Sequence, residues 1–257
     1  MAEDEFVEDG DRANGGSGEI CAFEVDGRRI AYRRRTGASP TILFLPGYAS
    51  DMEGTKALAL DGFAARAGIG LVRFDYSGTG SSAGEFRHGT LASWLEEALA
   101  VVDRLIEGPI VLVGSSMGGW IALHVALRRA ARVRALVGLA AAPDFTDWGF
   151  PQVLRASLKQ HGELGGDGTP TMTHRFWESG QQLLLLGGEI DVQCPVRLLH
   201  GEADSEVPID VALKTLERLR SADVQLTILK GAGHRLSEPR ELDALFRTVA
   251  ALVEARP

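Results

Sequence analysis

The sequence predicts an α/β fold in which a mostly parallel central sheet is covered by helices on both faces and carries a small inserted cap. Three observations favour this fold: short apolar runs alternate with helix-period segments, the alternation breaks only once, and 45% of the 257 residues are hydrophobic. A chain of this length and composition can bury one sizeable core. We therefore expect one domain over residues 19–257, with the cap at about 144–193, after a disordered acidic tail at residues 1–18.

The first predicted element is a β-hairpin, because Cys21–Val25 and Arg29–Tyr32 flank the turn dipeptide Asp26-Gly27. Six apolar runs are then predicted to form buried, parallel strands: Ile42–Leu45, Leu71–Phe74, Ile110–Val113, Val133–Leu139, Val196–Leu199 and Val224–Leu229. The spacing of apolar residues predicts helices at Leu91–Ile106, Trp120–Arg129, Val211–Leu219 and Leu242–Val253.

Composition and charge argue against several classes of partner. A net charge of -8 and a pI near 5.3 disfavour nucleic acid and anionic membranes, which need a clustered basic surface. No run approaches 18 apolar residues and the first residues lack the pattern of a secretory signal, so we expect no stable membrane insertion and a cytoplasmic location. Cys21 and Cys194 stand in no metal-binding spacing, which predicts buried reduced thiols, no disulfide and no metal.

A candidate nucleophile follows the strand predicted at Ile110–Val113. The G-x-S-x-G pattern runs from Gly114 to Gly118, and a predicted helix begins directly after it. A serine at the centre of this pattern sits on a sharp turn that exposes its hydroxyl, and flanking glycines avoid collisions there. Ser116 is the central serine, whereas Ser115 occupies the x position, so we predict Ser116 as the nucleophile.

A candidate acid follows the strand predicted at Val196–Leu199. In sites of this kind the order along the chain is serine, then aspartate or glutamate, then histidine. Asp204 has the loop position expected of the acid, where it would fix the histidine tautomer and stabilise the imidazolium. Glu202, Glu206 and Asp144 are the rival acids, and Asp204 capping the next helix is the structural alternative.

A candidate base follows the strand predicted at Val224–Leu229. His234 closes a loop that contains Gly231 and Gly233, which lets the chain carry a side chain inward. His124 falls instead on a predicted helix among apolar neighbours and is interpreted as a core histidine. We therefore predict His234 as the general base.

Two backbone N–H groups are candidates for an oxyanion hole. Met117 begins the helix after the nucleophile, and Tyr48 lies in the loop after the strand predicted at Ile42–Leu45. Gly47 permits close approach of that loop, and Pro46 has no N–H of its own to donate.

The interruption at residues 144–193 is rich in glycine and aromatic residues and shows no clear strand, so we interpret it as an insertion over one edge of the sheet. Its large apolar side chains either line an acyl site or simply cover the sheet edge, and the residues alone leave both interpretations open. The candidates for substrate contact are Trp148, Phe150 and Trp177.

With these motifs in place, the chain resembles the α/β-hydrolase superfamily of serine hydrolases, and within it the mitochondrial palmitoyl-protein thioesterase and acyl-glucuronide esterase family. The resemblance runs from about residue 43 to about residue 245, through the stretches LPGYASDMEGTKALAL, VRFDYSGTGSS, IVLVGSSMGGW and CPVRLLHGEADSEVP. It implies the α/β-hydrolase fold and places the family's nucleophile, acid and base on Ser116, Asp204 and His234, and its oxyanion donors on Tyr48 and Met117.

The predicted reaction is hydrolysis of a carboxylic ester or thioester through an acyl-enzyme, with a small-molecule or acyl-protein substrate and no cofactor. A non-catalytic ligand-binding member of the fold and a serine peptidase are the alternatives.

Overall fold

The computed structural model describes residues 18–166 and 169–254. Apart from Gly18, the predicted acidic tail lies outside the described residues and stays a prediction. Across the described residues the chain forms ten strands and eight α-helices. The strands are β1 (Cys21–Val25), β2 (Arg28–Arg35), β3 (Ala38–Leu45), β4 (Ile69–Phe74), β5 (Ile110–Ser115), β6 (Val133–Leu139), β7 (Glu163–Gly166), β8 (Thr169–Thr173), β9 (Val196–Gly201) and β10 (Val224–Leu229).

The helices lie between the strands and after the last of them. They are α1 (Thr55–Ala67), α2 (Leu91–Leu105), α3 (Met117–Arg128), α4 (Phe145–Trp148), α5 (Gln152–His161), α6 (His174–Gln181), α7 (Ile209–Arg218) and α8 (Pro239–Glu254). The predicted helices correspond to α2, α3, α7 and α8, with ends that differ by up to three residues. The N-terminus of α2 is capped by Thr90, whose side chain accepts from the Ser93 N–H.

The central sheet has the strand order β1-β2-β4-β3-β5-β6-β9-β10. The pairs from β4 to β10 are parallel, and β1 and β2 add an antiparallel hairpin at one edge. The hairpin turn is the predicted one, with Asp26 and Gly27 both at positive φ. The fold class predicted from the sequence is therefore confirmed.

Two apolar cores, one on each face, hold the helices against the sheet. One core includes buried residues of α2, α3 and α7, and the other those of α1 and α8. β4 and β5 are buried along their whole length, as their continuous apolar sequences predict. β10 differs from the prediction: it is the edge strand, and Ile228 is 47% exposed.

Helix α1 was not predicted, and its buried face explains why. That face consists of Ala57, Leu60, Asp61 and Ala64, so a carboxylate interrupts an otherwise apolar stripe. Asp61 accepts two hydrogen bonds from Arg35 of β2, at 2.9 and 3.0 Å. The partner that permits this buried acid comes from a distant part of the chain, which a local periodicity cannot reveal.

The insertion at residues 144–193 connects β6 to β9, which are neighbours in the sheet. It is more regular than predicted, since it contains α4, α5, α6 and the antiparallel pair β7-β8. Its side chains pack over the loop that follows β3 and onto α3, where Phe145 contacts Tyr48 and Trp120. We call residues 144–193 the cap.

Candidate active site

Ser116 lies at the turn between β5 and α3, with φ 53° and ψ -118°. This strained backbone conformation is held by hydrogen bonds on both sides: the Ser116 N–H donates to Leu139 O, and its carbonyl accepts from Gly119 and Ala142. Ser116 is partly exposed, whereas Ser115 is 7% exposed. The turn therefore presents Ser116 above the sheet.

The glycines of the turn are required by close backbone contacts. A Cβ placed on Gly114 would lie 2.3 Å from Gly118 O, and one on Gly118 would lie 2.1 Å from Leu45 O. Both distances are far below van der Waals contact, so any side chain would force β5, α3 and the end of β3 apart. The sequence prediction that glycines permit this turn is confirmed.

Ser116, His234 and Asp204 form one hydrogen-bonded chain. His234 Nε2 lies 3.1 Å from Ser116 Oγ, and His234 Nδ1 lies 2.8 Å from Asp204 Oδ2. The Asp204 side chain is 1% exposed, and its Oδ1 accepts from the N–H groups of Glu206 and Val207. These two N–H bonds fix the carboxylate, which in turn fixes the imidazole. Three side chains far apart in sequence meet where the parallel strands end.

The rival acids lie in other surroundings. Glu202 pairs with Lys230 at the surface, and Asp144 accepts from the N–H groups of Leu185 and Leu186 within the cap. Burial raises the pKa of Asp144, because its carboxylate is removed from water. Glu206 lies closer to the site: its Oε2 is 3.9 Å from His234 Nε2, on the side that faces Ser116.

The sequence did not single out His200, which supports the loop of Asp204. His200 is the penultimate residue of β9 and is 1% exposed. Its Nε2 lies 3.0 Å from Val207 O, to which it donates, and 3.7 Å from Asp204 Oδ2. The sequence feature that could have identified His200 is its position directly after a predicted strand and shortly before the candidate acid.

The backbone N–H groups of Tyr48 and Met117 lie near the nucleophile. Met117 is the first residue of α3, whose first N–H groups have no acceptor within the helix. In the loop after β3, which contains Tyr48, the Ser50 N–H donates to Gly47 O at 3.2 Å and closes a turn. A Cβ on Gly47 would lie 3.4 Å from Ser116 Cβ, so this loop passes directly beside the serine.

Two cavities meet at Ser116 and His234. The larger, which we call the polar cleft, has a volume of about 630 Å³ and is bounded by the loop after β3, the start of α1 and the loop of His234. The smaller, which we call the apolar cavity, has a volume of about 270 Å³ and lies under the cap. The apolar cavity is lined by Tyr48, Ser116, Met117, Ala142, Phe145, Trp148, Gly149, Phe150, Glu206, Val207 and His234.

The three cap residues expected to contact substrate are therefore divided. Trp148 and Phe150 line the apolar cavity, but Trp177 lines neither cavity. The Trp177 indole donates to Thr146 O at 2.8 Å and packs against His174. Trp177 thus holds parts of the cap together rather than lining the space beside Ser116.

The structure also gives the surroundings of His124 and of the two cysteines, which the sequence predicted to be structural. His124 is buried, with Nε2 2.9 Å from Leu183 O, and burial lowers its pKa. Cys21 is exposed, not buried as predicted, because it opens the edge strand β1. Cys194 is partly buried.

Among residues 18–166 and 169–254, no three His, Cys, Asp or Glu side chains are grouped as a metal site would require. In the same ranges, no helix has the length and apolar character that crossing a bilayer demands.

Comparison with known proteins agrees with this geometry. Residues 42–247 match the model of the alpha/beta hydrolase family. Human palmitoyl-protein thioesterase ABHD10, mitochondrial, is 39% identical over 235 residues, which are 88% of this chain and 76% of the human protein. The structure of mouse alpha/beta hydrolase domain-containing protein 10 superimposes with a TM-score of 0.87 at 35% identity, covering 92% of this chain and 99% of that one. A structure from Agrobacterium vitis S4 gives a TM-score of 0.85 at 42% identity, with the same coverage of both chains.

These relatives contradict the cytoplasmic location expected from the sequence. The curated relatives from human, orangutan and cattle are all named as mitochondrial proteins. The expectation was wrong because it rested on the absence of a secretory signal and of an apolar span. Those features concern secretion and membranes, and they do not distinguish the cytoplasm from an organelle.

The residues matched by the family model include most of the sheet, helices on both of its faces and the three hydrogen-bonded side chains. The relatives named above include the thioesterase family that the sequence motifs led us to expect. The chain therefore belongs to the alpha/beta hydrolase family.

Proposed function

We propose that this protein is a serine hydrolase that cleaves carboxylic esters or thioesters through an acyl-enzyme on Ser116. The observation that carries the proposal is the continuous hydrogen-bonded chain from Ser116 Oγ through His234 to Asp204, with separations of 3.1 and 2.8 Å. A base within hydrogen-bond reach of a nucleophile, itself oriented by a buried acid, is the arrangement that activates a serine.

In the first half of the reaction, Ser116 Oγ attacks the acyl carbonyl while its proton passes to His234 Nε2. Asp204 accepts the other ring N–H, and so stabilises the imidazolium that forms. The carbon–oxygen or carbon–sulfur bond of the tetrahedral intermediate then breaks, and His234 returns its proton to the leaving group. Water attacks the acyl-enzyme with the same base, which releases the acid and restores Ser116.

The charge that develops on the substrate oxygen is met by backbone donors. The Met117 N–H at the start of α3 and the Tyr48 N–H beside Ser116 supply two hydrogen bonds to the oxyanion in this mechanism. Both belong to segments that are fixed before the substrate arrives, so little reorganisation is needed when the charge forms. No cofactor takes part in these steps.

The apolar cavity is the proposed acyl site, because Phe145, Trp148 and Phe150 give it a hydrocarbon surface. The polar cleft then receives the leaving group, since it opens on the other side of the same serine. An acyl-protein substrate is consistent with relatives named as palmitoyl-protein thioesterases. Esters of small alcohols are the second class that this arrangement accepts.

The test of the proposal is covalent labelling followed by turnover. A fluorophosphonate probe should modify Ser116, as located by peptide mass spectrometry, and Ser116→Ala should abolish both labelling and hydrolysis of matched acyl esters and acyl thioesters. Ser115→Ala provides the control one residue away, and its labelling should persist. An unlabelled and inactive wild-type protein would instead favour a non-catalytic ligand-binding protein, whereas undiminished turnover in Ser116→Ala would remove Ser116 as the nucleophile.

A further inference from the structure

The loop that carries His234 contains a residue in a strained backbone conformation. It runs from the end of β10 to α8, and Leu236 has a positive φ of 46° although it is not glycine. A left-handed conformation at a branched residue costs free energy, so neighbouring groups must hold it in place. The Leu236 side chain does part of this by packing into the core beneath the loop, where it is 4% exposed.

A second restraint acts on the backbone next to His234. The carbonyl of Arg235 accepts two hydrogen bonds, one from the Lys56 ammonium and one from the Ser237 hydroxyl at 3.0 Å. Lys56 belongs to the first turn of α1, and 179 residues separate it from Arg235. Its side chain lines the polar cleft, which Ser116 and His234 also line. One long side chain thus ties the core helix α1 to the loop of the base.

Lys56 occupies this position without a close anionic partner. It is partly buried, and among the residues that the structure describes no carboxylate lies within ion-pair distance of its ammonium. Burial lowers the pKa of Lys56 and Arg235 lowers it further, while Glu241 and Glu206 act in the opposite direction. Nearby arginines are paired instead, as Arg33 is with Glu53 and Arg35 with Asp61. A partly buried cation whose hydrogen-bond partner is a backbone carbonyl fits a positioning role better than a general stabilising ion pair.

We propose that Lys56 is a positioning residue for the base: from α1 it fixes the Arg235 carbonyl, and thereby sets the distance and direction of His234 toward Ser116. This inference rests on the proposed function of the same site. A small displacement of the base costs much of the rate, because proton transfer needs the reacting atoms in hydrogen-bond reach.

The experiment compares Lys56→Met, Lys56→Arg and Ser237→Ala in the full chain, with Lys214→Met on the exposed face of α7 as the matched control. Fluorophosphonate titration gives the active fraction, so that kcat is expressed per active site. We expect Lys56→Met to lower kcat roughly 10- to 100-fold with KM within about threefold, and Lys56→Arg to recover most of the loss. Ser237→Ala, which removes the weaker of the two donors, should lower kcat roughly twofold to threefold.

The split between kcat and KM, and the recovery of kcat by Lys56→Arg, are readouts that a purely structural role would not move. A normal kcat per active site in Lys56→Met, a change in KM alone, or no recovery by Lys56→Arg would overturn the positioning role. Failure of the proposed function is distinguished from this, because it would appear as an unlabelled wild-type protein before any Lys56 variant is made.

Discussion

The polar cleft and the apolar cavity meet at the same serine but are built from different parts of the chain. The polar cleft is formed by segments of the core fold: the loop after β3, the start of α1 and the loop of His234. The apolar cavity differs in that four of its eleven lining residues, Phe145, Trp148, Gly149 and Phe150, come from the cap. Both share Tyr48, Ser116, Glu206 and His234. In the proposed function, the core supplies the catalytic groups and the cap contributes to the acyl preference.

The largest effect should come from a change that acts on both cavities through a residue they share, His234. Asp204→Asn replaces the acceptor of the His234 Nδ1–H, which favours the wrong tautomer, and should lower kcat/KM by roughly 10³- to 10⁴-fold for short and long acyl chains alike. Steady-state kinetics on a series of acyl esters measures both the loss and its dependence on chain length. Asp210→Asn, an exposed acid in the first turn of α7, is the matched control. A loss confined to long chains would contradict a common catalytic centre.

A change in the apolar cavity should separate the two regions. Phe150→Ala removes an aromatic ring from the cavity wall and should lower kcat/KM for long-chain esters roughly tenfold, with little effect on acetate esters. The measurement is the ratio of kcat/KM for long and short chains. Val153→Ala, at an exposed position of α5 in the cap and outside both cavities, should leave that ratio unchanged. Equal losses for all chain lengths would place the acyl chain elsewhere.

The attachment of the cap should depend on pH through Asp144. Asp144→Asn leaves one of the Leu185 and Leu186 N–H groups without an acceptor and should lower the free energy of unfolding by about 1–2 kcal/mol. Burial raises the pKa of Asp144 above its ordinary value of 3.8, so the folded protein holds this proton more tightly than the unfolded chain. The stabilisation of the fold by this proton is complete below pH 3.8, the ordinary pKa of the group. It declines as the pH rises through the higher pKa that Asp144 has in the folded protein.

Urea unfolding of wild type and Asp144→Asn at pH 4 and pH 7 tests this sign. The difference in free energy of unfolding between wild type and Asp144→Asn should be greater at pH 4 than at pH 7, because Asp144 is protonated more fully at pH 4. Titratable groups that both proteins share cancel from this difference. A greater difference at pH 7 would contradict this sign. It would show that hydrogen bonds from the cap stabilise the carboxylate more than burial destabilises it.

The smallest effect should come from the residue that links the two regions. The Tyr48 hydroxyl donates to Thr171 O of the cap at 2.7 Å, while its backbone belongs to the loop after β3. Tyr48→Phe should lower the free energy of unfolding by about 1 kcal/mol and reduce the long-to-short ratio about twofold, because Thr171 O loses its donor. Urea unfolding and ester kinetics measure the two quantities. Phe86→Leu, at a ring that packs against Tyr48, is a packing control that retains the hydroxyl bond.

Much of the core could be predicted because its signals are local. The alternation of apolar runs identified the strands, and the Asp26-Gly27 turn identified the hairpin. Helix α1 escaped because Asp61 on its buried face is compatible with burial only through Arg35 of another element. The cap escaped for a similar reason, since its short helices and its hairpin depend on packing against Tyr48 and Trp120.

The sequence by itself determined the α/β class, the turn at Ser116 and the candidate positions of acid and base. These follow from the spacing of apolar residues, the positions of glycines and the order of the motifs along the chain. Only the tertiary structure decided that His234 lies between Ser116 and Asp204, that Asp144 serves the cap, that Trp177 stands outside both cavities, and that Lys56 reaches Arg235. These outcomes depend on which strand ends lie side by side, and distances between residues far apart in sequence are fixed only when the sheet and its two cores are assembled.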